Sequence, residues 1–229
     1  MISQNSSFDG GLYFLRLHQE LQQLDYLKQL CFTCSCVERV APLAARWSHE
    51  LEKRIVAILD HSWLLETNYQ KPSDLSSTIK TFENDLSLWY DDADETDDAV
   101  EAYKLKYADT AIESTISLLA FLSTHDVSHA VAVAKCEFDF LYELSSDIRI
   151  LTQSENDPTD RGFIMTSDLM KDILSSELIQ KELEQEQQDI VLLRDNFPNA
   201  QIIHQLRSGS QKLGQYFAEQ IKNVQSKLN

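Results

Sequence analysis

The sequence predicts an all-α fold, a helical bundle of about eight helices with no sheet. Three observations carry that expectation. The 229 residues include only five glycines and four prolines, so turns are scarce and long helices with few connections are the economical arrangement. Between Pro42, Pro72, Pro158 and Pro198, apolar residues recur at helical spacing. No stretch of useful length alternates apolar and polar residues as a half-buried strand does.

The elements follow in order. A first helix is expected over about 11–23. A second spans about 25–40, with Asp25 as N-cap and Pro42 breaking or bending the chain beyond it. Ser48 caps a helix over 49–68, whose buried face is Leu51, Ile55, Ile58, Leu59, Ser62 and Leu65. Ser73 caps the next, over about 74–89. A longer helix begins after the acidic run and reaches about Leu122, where Tyr103 and Tyr107 form an i, i+4 packing pair. The segment from about Asp126 to Leu151 is apolar on more than one side, as a helix in the middle of a bundle must be. SENDPTDRG, residues 154–162, is the best loop. Beyond it come a helix containing the Glu/Gln-rich stretch 182–189 and a final helix after Pro198. The core face of that last helix is Ile202, Ile203, Leu206, Leu213, Phe217, Ile221 and Val224, with Gly209 and Gly214 weakening its middle. Residues 1–10 are expected to be a disordered N-terminal segment, and 11–229 a single domain with a hinge at 152–165.

Charge narrows the function. The formal net charge is −17, which repels nucleic acid and anionic membranes and favours a basic protein partner. Lysines and arginines are scattered, with no basic patch. The polar start MISQNSSFDG has no secretory pattern, and no apolar run approaches the roughly 18 residues of a membrane span. The four cysteines do not form a secreted disulfide framework, so the expected compartment is the cytoplasm. No cofactor motif of the nucleotide-binding or nucleophile-elbow kind is present.

CFTCSCVER, Cys31 to Arg39, holds three of the cysteines. At about 100° per residue, Cys31 and Cys34 share a stripe with Leu24, Leu27, Leu30 and Val37, while Cys36 lies nearly opposite Cys34. Three thiolates cannot reach one metal from opposite sides of an intact helix, so Cys31 and Cys34 are expected as small packing residues. Glu38 is the odder residue. It falls near the buried stripe just before Arg39, and a carboxylate there requires a partner or a proton. A structural role is favoured over a catalytic one.

LCFTCSCVERVAP, residues 30–42, resembles the signature of an uncharacterised bacterial family, the YjaG-like group or domain of unknown function 416, in which Cys-x-Glu-Arg precedes a proline. ILDHSW at 58–63, ADTAIESTISLL at 108–119 and SHAVAVAK at 128–135 resemble further segments of that family in the same order. The resemblance implies an α-helical fold and no established activity. It marks Cys36, Glu38, Arg39 and Glu113 as family-motif positions.

Other chemistry is sparse. HDVSH places His125 and His129 at i, i+4, a spacing that can bind a metal, with His61 or His49 as third ligand. This is similar to the three-histidine site of DinB-like bundles, although the surrounding motif is missing. The alternative is that His125 lines a turn and His129 packs at a bundle edge. Asp60, on the solvent side of its helix, is expected to be solvated.

The leading expectation is a non-enzymatic acidic protein that binds another, basic protein, most concretely as a stoichiometric antagonist or immunity-type protein, with no cofactor. The contact zone would be Asp91, Asp92, Asp94, Glu95, Asp97 and Asp98, in a segment where seven of eleven residues are acidic. The alternatives are a metal-dependent enzyme or small-ligand binder using His125, His129 and His61, and a structural homodimer subunit.

Overall fold

The computed structural model describes residues 9–68, 80, 84, 99–156 and 167–228. Among these there are eight helices and no strand: α1 (Gly10–Gln22), α2 (Tyr26–Ala44), α3 (His49–Asn68), α4 (Ala99–Thr124), α5 (Val127–Asn156), α6 (Ser167–Leu174), α7 (Glu177–Asp195) and α8 (Ala200–Leu228). The all-α bundle is as the sequence predicts. No helix among the described residues is long and apolar enough to cross a membrane. Most of the predicted helix over 74–89, the acidic run 91–98 and most of the predicted hinge lie outside the described residues.

Helix starts are set by side chains that accept otherwise orphaned backbone N–H groups. Asp9 accepts from Leu12 N and Asp25 from Lys28 N, each at 3.1 Å. Ser48 Oγ accepts from Glu50 N at 3.2 Å and Leu51 N at 3.4 Å. The expected face of α3 is buried at Leu51, Ile55, Ile58, Leu59 and Ser62. Tyr107 is buried edge-on against Phe140; the side chain of Tyr103 lies outside the described residues.

The centre of the bundle is α2. Residues 30–41 are all buried, around every side of the helix, because α8, α4, α3, α5 and α7 pack around it. Cys31, Cys34 and Cys36 are therefore all interior. The expected end at about residue 40 is corrected: α2 passes Pro42 and runs on to Ala44. Proline removes one N–H, that which would bond the carbonyl four residues back. The segment beyond is anchored by tertiary contact, with Arg46 Nη2 donating to Ala218 O on α8 at 2.9 Å.

Gly214 has a clearer role than weakening α8. A Cβ there would stand 2.4 Å from the Arg39 carbonyl oxygen, so only glycine lets α8 cross α2 at this distance. That crossing fixes the backbone of the motif Cys36-x-Glu38-Arg39 from behind.

Candidate functional site

Glu38 and Arg39 leave α2 in different directions and enter two separate polar networks. Glu38 faces α3 and α8. Its Oε2 accepts from Trp63 Nε1 at 2.9 Å, and its Oε1 accepts from Gln211 Nε2 at 2.7 Å. Arg207 closes the set, its Nε 3.3 Å from Oε2 and its Nη2 3.3 Å from Oε1. The same guanidinium reaches Asp60 Oδ1 at 2.7 Å and lies over the Trp63 ring. Asp60 is exposed, as expected, yet paired. Both Glu38 oxygens are thus satisfied, and this carboxylate ties three helices together.

Arg39 is fully buried and faces α5 and α7. Its Nη1 donates to Asp189 Oδ2 at 2.9 Å, and its Nε lies 3.0 Å from Glu182 Oε1 and 3.5 Å from Glu137 Oε1. Its Nη2 approaches Cys36 Sγ at 3.1 Å. Gln185 Nε2 supports Asp189 at 2.8 Å. Glu186 joins from the next turn of α7 and accepts from the Tyr13 hydroxyl of α1. Glu137, Glu182, Glu186 and Asp189 are all buried, so one arginine meets four carboxyl groups inside the protein.

The electrostatics follow from burial. Desolvation pushes Glu137 well up, and the neighbouring Glu182 charge pushes it further, against the pull of Arg39. Burial likewise raises Glu182 and Asp189. It raises Glu186 from the usual carboxylate range to about 8, with Glu182 adding to the effect. Burial drives the Cys36 thiol well up, with Arg39 opposing. Burial alone would lower Arg39, but the surrounding acids, led by Glu182, hold it firmly protonated. Apart from one another, Glu137 and Glu182 receive no well-formed hydrogen bond on either oxygen, and Glu186 receives none on Oε1. Glu137 and Glu182 can bond to one another only if one of the pair carries a proton.

Cys36, Glu137 and Glu186 each place a ligand-type atom within 4.8 Å of the other two, a set able to hold a metal ion. Of these, the sequence singles out Cys36 alone. The rest of the cluster, with Tyr13, Glu182 and Asp189, is absent from the sequence-based candidates.

The histidines lie elsewhere. His125 sits between α4 and α5 with φ 58°, a left-handed conformation that histidine tolerates better than most residues, and its ring contacts Tyr26. His129 is half-buried in the first turn of α5, and His61 is exposed on α3. Among the described residues these three do not form a group of converging ligand atoms. Glu113 is exposed on α4, 3.9 Å from Cys136 Sγ of α5, whose thiol burial pushes up to about 11. The six carboxylates from Asp91 to Asp98 lie outside the described residues.

No family model and no curated protein matches this sequence. Among solved structures, the fold is similar to that of a DUF416 family protein from Shewanella baltica OS155, with TM-score 0.61 and 16% identity over 85% of this chain and 93% of that one. The chain therefore has a DUF416-like fold.

Proposed function

We propose that this chain is a YjaG-like, non-enzymatic binding protein of the cytoplasm that acts by covering a basic protein partner, in the manner of a stoichiometric antagonist. One observation carries the reading: among the described residues, the only buried charged side chains are Glu38, Arg39, Glu137, Glu182, Glu186 and Asp189. The cluster around Arg39 is sealed in the bundle, where a substrate cannot touch it. These residues account for a small part of the formal net charge of −17. A strongly acidic surface accelerates encounter with a basic partner and suppresses encounter with acidic ones. The run Asp91, Asp92, Asp94, Glu95, Asp97 and Asp98 has the highest density of acid in the sequence and supplies the contact zone.

The test is a binding measurement at two salt concentrations. The untagged chain captures its partner from native cell extract, and the partner is identified and purified. Its affinity is then compared with that of a chain carrying lysine at the six acidic positions. Wild-type affinity should fall at least about tenfold between about 50 and 200 mM salt, and the variant should bind at least about tenfold more weakly at the lower one. A partner whose affinity ignores both changes overturns the reading.

A further inference from the structure

Three ligand-type side chains from three helices meet at one interior point: Cys36 from α2, Glu137 from α5 and Glu186 from α7. One feature separates this meeting from an ordinary ion-pair network. Arg39 touches it, with Nη2 at 3.1 Å from Cys36 Sγ and Nε at 3.5 Å from Glu137 Oε1, while its shortest contacts go to Asp189 and Glu182. Yet Glu137, completely buried, receives no well-formed hydrogen bond on either oxygen from Arg39 or any other N–H donor, and Glu186 receives none on Oε1. A buried acceptor left without a donor costs about 1–3 kcal/mol, and more when charged. Native interiors rarely tolerate several together without an ion or water to satisfy them.

We propose that Cys36, Glu137 and Glu186 form a closed binding site for one divalent transition-metal ion of the borderline-soft class, with Zn²⁺ as the type case. A divalent ion makes up the negative charge that Arg39, shared among Asp189, Glu182 and Glu137, does not neutralise, and supplies a partner to oxygens that receive no well-formed hydrogen bond. One sulfur and two carboxylates suit zinc, which accepts both donor types and needs only four ligands. Calcium and magnesium demand six or more oxygens, or several retained waters, and have little affinity for a thiol. Glu182, which pairs with Arg39 at 3.0 Å, is not among the converging atoms, so the fourth position is left to a second carboxylate oxygen of the set. Ligand atoms around one tetrahedral zinc stand roughly 3.3–3.8 Å apart, given bonds of about 2.0–2.3 Å. The three side chains therefore close by about an ångström on binding, a rotamer-scale movement. Burial on all sides makes this a structural ion, one that ties α2, α5 and α7 together and α1 through Tyr13. It is independent of the surface partner proposed above.

Because the site is sealed, the probe is introduced during folding. Untagged protein is unfolded, refolded with excess Co²⁺, desalted, and measured by absorption and elemental analysis. The expected result is about one cobalt per chain with an intense near-ultraviolet thiolate-to-cobalt band. Cys36→Ser should abolish the band while retaining the helical circular dichroism, and Cys136→Ser and His129→Ala should leave it intact. Should Cys36→Ser fail to fold, Glu186→Gln and Glu137→Gln provide the second readout, each weakening cobalt retention at least about tenfold against a competing chelator. Less than a tenth of an equivalent with no band in the refolded wild type overturns the proposal. So does a band that survives in folded Cys36→Ser, or cobalt retention unchanged in both glutamine variants.

Discussion

Glu38 and Arg39 are neighbours in sequence and opposites in environment. Glu38 is one buried acid surrounded by donors: an indole, an amide and a guanidinium from two other helices. Arg39 is one buried base surrounded by acids, more of them than it can neutralise. The first network is closed and needs nothing further. The second is stable only if protons or a cation make up the difference. The same helix thus carries a finished structural clamp and, one residue on, a charge imbalance.

The contrast can be broken most severely at Arg39. Arg39→Met keeps the bulk but strands four carboxyl groups, and should lower stability by about 3–5 kcal/mol in urea unfolding, enough to leave little folded protein. Next comes pH. In metal-free protein Glu186 holds its proton up to about pH 8, amid Glu182, Arg39, Tyr13, Asp189, Cys36 and Glu137. Its raised value favours the folded state below the ordinary carboxylate range, and the benefit is lost as pH rises through about 8. Unfolding free energy should therefore drop by on the order of 2 kcal/mol between about pH 6 and about pH 9. Of similar size is Gly214→Ala, which sets a methyl against the Arg39 carbonyl and should cost about 2 kcal/mol as α8 is pushed from α2, read as a lowered melting temperature. The smallest and sharpest comparison is one substitution made twice. Glu38→Gln removes a satisfied charge from Arg207 and should destabilise by about 1–2 kcal/mol. Glu137→Gln replaces a carboxyl whose ionised form the interior disfavours and should stabilise metal-free protein by about 1 kcal/mol. Equal signs in the two denaturation curves would erase the distinction between the networks.

Much of the helix order was legible because several starts have a local device, such as Asp25 on Lys28 N, and the apolar faces have a helical period. The passage of α2 through Pro42 was not, because what continues it is an arginine reaching a carbonyl on the last helix. The clamp was half legible: a carboxylate at Glu38's position demands a partner, but nothing local says which. The Arg39 cluster was hidden by composition. ELEQEQQD looks like solvent-facing sequence, yet Ile179, Leu183 and Ile190 set a buried stripe, and Glu182, Glu186 and Asp189 fall on it. Glu137 sits in the same way within the apolar run of α5. Their common partner is on α2, and helical periodicity reports a face without saying what is opposite.

The sequence separation of that partnership has a consequence for how the chain is made. Asp189 is 150 residues from Arg39. During synthesis, α2 leaves the ribosome long before α7 and α8 exist to cover it, and its buried arginine waits for its acids. Contacts of such long range fold slowly, since the intervening chain must be closed before they form. The nascent chain can cover α2 first with α3, α4 and α5, and the packing around Arg39 is completed only when α7 and α8 dock. Until α7 and α8 have emerged, the uncovered side of α2 is open to aggregation and chaperone capture.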